Sequence, residues 1–339
     1  MSVLLLHLID YRFVSLLVRA NSTQRSDPKS FLQWCQQRKS ITNGARDTVD
    51  VMLKLANTQS CQKADSKLRN STQLLMSYKK LTDLRPLASL TNLKDLRLNG
   101  NKINNLKPLA SLINLKKLYL NNNQISDLTP LSSLSVLNEL AIGENKIADV
   151  NSLSNLKNIG FLELNKNQIS DITSLAALTK LRTLLLNRNQ INNLHPLSNL
   201  SNLDYLELQN NQIGDNLEPL SKLTNLNFLE LGKNKISDIS PLANLNNLTT
   251  LSLNGNSISD LNYLSALNKL IVLGMSNNKI SDVKPLSRLN NLRSLNLSGN
   301  QISDINSLSS LTNLKDLLLD GNQIVLKSCP IQPTSICSF

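Results

Sequence analysis

From residue 93 onward the apolar residues fall into one recurring frame: Leu93, Leu96, Leu98, Ile103, Leu106, Leu109 and Leu112, with Asn101 inside it and Pro108 ahead of Leu109. Leu96 and Leu98 alternate with Asp95, Arg97 and Asn99, which predicts a short strand with its leucines turned inward and its polar residues outward. Asn101 begins a series that continues at Asn123, Asn145, Asn167, Asn189, Asn211, Asn234, Asn256, Asn278, Asn300 and Asn322, at intervals of 22 residues with a single interval of 23. A unit this short cannot bury its own apolar side. Stacked copies can, and their strands are then expected to run parallel in one sheet.

Each remaining position of the frame has a physical reading. The chain must turn after the strand, and a buried Asn side chain can satisfy backbone groups that the turn leaves without ladder partners. The Asn series is therefore read as structural, with no ligand role. Asp127, Asp149, Asp171, Asp215, Asp238, Asp260, Asp282 and Asp304 precede a Leu, Ile or Val (Asn216 intervening after Asp215) and read as turn or capping acceptors. A calcium site needs several oxygens converging in one loop, and one carboxylate per coil does not supply them. Pro108, Pro130, Pro196, Pro219, Pro241 and Pro285 exclude a long helix and favour tight 3₁₀ turns, which predicts a thin convex side. The extra residue of the irregular coil falls in Gly214–Leu217, on the convex segment, where it disturbs the sheet least. Leu74, Met76, Lys79, Leu81, Leu84, Pro86 and Leu87 fit the frame as a degenerate first coil.

The frame LxxLxLxxNxIxDIxPL resembles the repeat of bacterial internalins and of the leucine-rich regulatory subunit of protein phosphatase 1, over roughly residues 71–326. The resemblance implies an α/β repeat fold: a right-handed leucine-rich-repeat solenoid with parallel strands on the concave face, short 3₁₀ turns on the convex face and a helical N-terminal cap. It names no partner, because the matching residues are the scaffold. Phe31, Trp34, Cys35, Thr48, Val49, Cys61 and Ala64 before the repeats, and Cys329, Pro330, Ser335, Ile336 and Cys337 after them, resemble the caps of exported bacterial, particularly cyanobacterial, proteins of this class. The expected organisation is a leader at 1–20, a helical cap at 21–70, the solenoid at 71–326 and a C-terminal cap loop at 327–339.

Aromatic residues make up only 3% of the 339, so the core must be tiled from Leu and Ile. Beyond residue 20 no apolar run reaches the length of about 20 that a membrane span needs. Within 1–20, Asp10 and Arg12 interrupt the apolar run. Reading from Arg12, Phe13–Val18 forms a very short apolar core with Ala20 at a cleavage point, so an export signal and a degenerate or mis-started leader both remain open.

Four cysteines allow three pairings. Cys35 and Cys61 precede the solenoid while Cys329 and Cys337 follow it, which puts the two pairs on the order of 50 Å apart at about 4.8 Å per coil. A disulfide tolerates a Cα separation of about 4.4 to 6.8 Å, so Cys35 is expected to pair with Cys61 and Cys329 with Cys337. Reduced thiols in a cytosolic protein are the alternative. Zinc fits neither spacing. Asp27 and Pro28 read as a helix start, with Phe31, Leu32 and Cys35 as its buried stripe. Val49, Leu53 and Ala56 mark a second helix, and Cys61, Ala64 and Leu68 a third.

The only histidines are His7 and His195, the latter beside Pro196 on a convex turn, and no glycine-rich phosphate loop occurs. Gly100, Gly255, Gly299 and Gly321 sit at strand exits, where a permissive backbone explains them. The reading is a non-enzymatic chain without cofactor or metal. Function then has to be written on the outward strand positions. One column carries Asp95, Lys117, Glu139, Phe161, Thr183, Tyr205, Phe228 and Thr250; the next carries Arg97, Tyr119, Ala141, Glu163, Leu185, Glu207, Glu230 and Ser252; a third is mostly Asn, Ser and Gly. Tyr119, Phe161, Tyr205 and Phe228 concentrate there, either because aromatics pair well across strands or because they form an exposed patch that anchors a partner. Glu139, Glu163, Glu207 and Glu230 make this face acidic although the chain carries +12, much of it on turns and the convex side (Lys102, Lys146, Lys166, Arg188, Lys233, Lys235, Lys279). Nucleic acid is therefore not expected in the concavity. The expected function is protein binding by a secreted or cell-surface monomer through Tyr119, Phe161, Glu163, Leu185, Tyr205, Glu207, Phe228 and Glu230. A cytoplasmic phosphatase-like regulatory subunit and a glycan-binding adhesin are the alternatives.

Overall fold

The structure is a computed structural model and describes residues 30–339. The leader reading of residues 1–20, His7 and the helix start at Asp27 and Pro28 lie outside the described residues. Three helices open the described chain: α1 (Phe31–Gln36), α2 (Asn43–Leu55) and α3 (Cys61–Arg69). Thirteen strands follow as one parallel sheet in strict chain order. They are β1 (Gln73–Leu75), β2 (Asp95–Arg97), β3 (Lys117–Tyr119), β4 (Glu139–Ala141), β5 (Phe161–Glu163), β6 (Thr183–Leu185) and β7 (Tyr205–Glu207), then β8 (Phe228–Glu230), β9 (Thr250–Ser252), β10 (Val272–Gly274), β11 (Ser294–Asn296), β12 (Asp316–Leu318) and β13 (Cys337–Ser338). Short 3₁₀ turns such as Lys107–Leu109 and Thr129–Leu131 alternate with them, the prolines sitting in the first turn, where no hydrogen bond is lost. This is a leucine-rich-repeat solenoid.

Register explains the core. Leu96, Leu118 and Leu140 are directly paired, and Leu96, Leu98, Ile103, Leu106, Leu109 and Leu112 are all essentially inaccessible. Each such side chain contributes about 1.5–3 kcal/mol of burial, so regularity substitutes for large aromatic side chains.

The Asn side chains complete this lattice. Asn189 Oδ1 accepts the Ile169 N–H at 3.0 Å, and its Nδ2 donates to the carbonyls of Leu164 and Leu186, each at 3.0 Å. Asn101 serves the degenerate first coil, accepting from Lys79 and Leu81 N–H at 3.0 Å. Asp127, Asp149, Asp171, Asp238, Asp260, Asp282 and Asp304 each accept the N–H two residues on, closing the entry to a 3₁₀ turn. Asp215, in the coil with the inserted residue, instead accepts from the Asp238 N–H at 3.0 Å and the Ser237 hydroxyl at 2.8 Å in the next coil. The insertion is thus tied to its neighbour.

The N-terminal helices cover the first coil. Ser30 caps α1 with a capping box formed with Gln33. The buried stripe of α1 is Phe31, Trp34 and Cys35, whereas Leu32 is only half-buried, which corrects the stripe read from sequence. Trp34 takes that place because it stands three residues from Phe31, on the same helix face, and its ring lies under the Arg85 guanidinium, 5.1 Å from the ring centre, with Arg85 paired to Asp83 at 2.6 Å. Thr48 donates to the Asp83 carbonyl and Phe31 N–H to Ser89 Oγ at 3.1 Å, further joining cap to coil. Cys35 is bonded to Cys61 with a Cα separation of 5.6 Å, and Cys329 to Cys337 at 5.7 Å. At the far end, Leu319 N–H donates to the Ser338 carbonyl of β13 at 2.8 Å.

Candidate binding face

Strand register places Tyr205 beside Phe228 and Glu207 beside Glu230, with Phe161 and Glu163 two strands earlier and Leu185 between. The sheet therefore brings seven of the eight predicted contact residues into one patch over β5–β8. Tyr119 lies on β3, separated from the patch by Glu139 and the buried Ala141 of β4.

The patch is less exposed than the sequence suggested: Tyr119, Phe161, Leu185, Tyr205 and Phe228 are all half-buried. The reason is lateral packing. Tyr205 and Phe228 stack with ring centres 4.1 Å apart and planes within 5° of parallel, and the Arg97 guanidinium sits 5.0 Å from the Tyr119 ring centre.

Charge compensation divides the face. Toward the N-terminus each carboxylate has its own cation: Asp95 pairs with Arg97 at 3.1 Å and Glu139 with Lys117 at 2.7 Å. Tyr119 also donates its hydroxyl to Glu139; burial and that bond push the phenol up to about 12. In the middle no such cations stand in the two columns. Glu163 accepts from Asn121 Nδ2 at 3.0 Å, and Glu207 accepts from the Tyr205 hydroxyl at 2.6 Å and from Asn187. Glu230 has neither hydrogen bond nor ion pair among the described residues, and burial, with the charge of Glu207 behind it, raises its carboxyl above the ordinary value. Burial likewise raises the Tyr205 phenol, reinforced by its bond to Glu207.

Two further Asn rows bind backbone, a role the sequence did not suggest, although the first of them was legible as the third outward column. In the third outward column, Oδ1 of Asn99, Asn121 and Asn187 accepts the N–H of Asn121, Gly143 and Gln209 in the following coils at 2.7–2.9 Å. Asn165 departs from the row, its Oδ1 buried without a partner. On the flank before the strands, Asn114, Asn202 and Asn247 donate to the carbonyls of Thr91, Thr179 and Thr224 at 2.8–2.9 Å. Their 22- or 23-residue spacing was the available signal.

Strand exits hold one left-handed residue per coil. Gly100, Gly255, Gly299 and Gly321 occupy it in four coils, but Glu144, Lys166, Arg188 and Lys233 occupy it elsewhere with φ between 52° and 56°. His195 begins a 3₁₀ turn on the opposite side. Among the described residues no group of three or more His, Cys, Asp or Glu is placed to hold a metal ion, and no helix is long and apolar enough to cross a membrane.

A coil-by-coil parallel sheet bearing this varied outward surface defines a leucine-rich-repeat scaffold. Models described as leucine rich repeats match residues 113–158, 201–244 and 246–288, and a single-repeat model matches 291–311. An internalin from Listeria monocytogenes is 35% identical, with a TM-score of 0.73 over 83% of this chain and 90% of its own. The chain belongs to the leucine-rich-repeat family of internalin type. A leucine-rich-repeat protein of Leptospira interrogans, 24% identical over 94% of both chains at a TM-score of 0.62, shares the fold. So does a plant peptide hormone receptor solved in a complex, 23% identical over 76% of this chain and 49% of its own, TM-score 0.65. No curated protein matches.

Proposed function

We propose that this chain is an exported, non-enzymatic scaffold that binds a protein partner on its concave face through Tyr119, Phe161, Glu163, Leu185, Tyr205, Glu207, Phe228 and Glu230. Scaffolds of this family are typically protein-binding. The observation that carries the reading is the run of half-buried apolar side chains on β5–β8 beside carboxylates that have no cation in the same columns. Aromatic anchors with desolvated polar neighbours are where binding energy concentrates. The disulfides at both ends support an oxidising compartment outside the cytoplasm. Glycan binding draws less support, because the amide oxygens of Asn99, Asn121 and Asn187 are already occupied by backbone.

A photo-crosslinker placed at position 161 or 205, with the convex position 132 as control, identifies the partner. Phe161→Ala and Tyr205→Ala are then expected to weaken its binding about tenfold or more without loss of the fold, read from an unchanged circular dichroism spectrum. Equal crosslinking from position 132, or affinity indifferent to both substitutions, would overturn the reading.

A further inference from the structure

The apolar and acidic patch ends abruptly at β8. On β8 the two outward columns carry Phe228 and Glu230; their partners on β9 are Thr250 and Ser252, and on β10 Val272 and Gly274. Large side chains thus stand as a wall beside a lower floor. Tyr205 covers one face of the Phe228 ring, since the ring separation of 4.1 Å runs along the ladder between adjacent strands. The other face of Phe228 is turned along the sheet toward Thr250. Glu230 stands in the same wall, half-buried and without a partner among the described residues.

We propose that this step is a slot for an arginine side chain of the protein partner, its guanidinium lying flat on the unstacked face of Phe228 over Thr250 and pairing with the Glu230 carboxylate above Ser252. The proposal rests on the reading of the concave face as protein-binding and adds the chemistry of one contact. Charge complementarity selects a cation, because a half-buried carboxylate beside Glu207 gains most from a positive partner. The aromatic flank selects a planar one: guanidinium stacks on a ring while pairing edge-on with a carboxylate, which an ammonium cannot do. The opposite end of the stack offers no equivalent slot. There Glu207 is engaged by Tyr205 and Asn187, and the neighbouring second-column residue is Leu185 rather than Ser252. Lys269, on the rim of the depression beside Phe228, is held by Asn247 at 2.8 Å.

The test titrates the full chain, with Thr and Val methyls labelled for NMR, with the capped tripeptide Gly-Arg-Gly and with its lysine and citrulline counterparts. The arginine peptide is expected to shift the Thr250 and Val272 methyls saturably, and the other two to bind about tenfold more weakly. Glu230→Gln should weaken the arginine peptide about tenfold and Thr250→Trp should abolish the shift of the remaining Val272 methyl, while Glu144→Gln, at a strand exit four coils away, leaves binding unchanged. Citrulline binding as well as arginine, or shifts unchanged in Glu230→Gln, overturns the slot. A partner that depends on Phe161 and Tyr205 but ignores Glu230→Gln also overturns it, while leaving the wider reading intact.

Discussion

Tyr205 and Phe228 occupy adjacent strands with ring centres 4.1 Å apart, closer than the strand separation of about 4.8 Å, so the two side chains lean together. The contact removes one face of each ring from water before any partner arrives. It also fixes two aromatic rotamers in advance, which lowers the ordering cost of binding.

Glu230, behind this pair, is expected to lower stability at neutral pH. Its carboxyl is raised from the ordinary value of 4.5 by burial first and by Glu207 second, so ionisation is less favourable in the folded than in the unfolded chain. Stability should therefore fall as pH rises from the unfolded pKa through the folded one. Glu230→Gln is expected to melt higher than wild type at pH 7 and to lose that advantage below pH of about 4, where both forms are neutral. A pH series of thermal melts checks this; a gap that widens in acid contradicts it.

The buried and flanking Asn rows should differ in energetic weight. Asn189→Ala leaves the Ile169 N–H and the Leu164 carbonyl without their side-chain partner inside the lattice, and is expected to cost about 3 kcal/mol or more. Asn202→Ala removes a single exposed bond to the Thr179 carbonyl and should cost less than about 1 kcal/mol. Denaturant unfolding of both variants decides the ranking.

Arg188 sits at φ 56° where other coils place glycine. A left-handed residue with a Cβ is strained by about 1–2 kcal/mol, while glycine brings an entropic cost of about 0.5–1 kcal/mol. Arg188→Gly should therefore stabilise the chain by about 0.5–1 kcal/mol. A lower denaturation midpoint would count against that balance.

The two disulfides close loops with sequence separations of 26 and 8. On the chain-entropy model the first is worth about 3.5 kcal/mol and the second about 1 kcal/mol less. Replacing Cys35 and Cys61 by Ser should accelerate hydrogen exchange first in α1 and α3, with β5–β8 affected least. Uniform acceleration would mean that the cap and the solenoid unfold as one unit.

Repeat length, strand positions and the turn prolines were legible because each recurs and each has one dominant physical reason. The capping role of the repeated Asp residues was legible for the same cause, with Asp215 deviating only where an inserted residue shifted its reach. Other features were hidden by their chemistry. The side chains of Glu144, Lys166, Arg188 and Lys233 do not mark them as left-handed; only their register with Gly100 and Gly255 does, since the lattice imposes that conformation against local preference. Trp34, by contrast, was readable: its spacing of three from Phe31 puts it, and not Leu32, on the buried face of α1. The patch residues were correctly placed in columns, but alternation alone does not report how far neighbouring rings cover each other.

Each ladder Asn completes a coil that precedes its own: Asn123 serves Ile103, Asn145 serves Ile125, and Asn322 serves Ile302. No coil is therefore complete in itself, and a cut between any two coils leaves the N-terminal piece with one backbone seam open, the amide that would close it lying on the other side of the cut. At the last coil β13 supplies the ladder bond that each strand receives from its successor, Leu319 N–H to the Ser338 carbonyl, while no further ladder Asn follows Asn322.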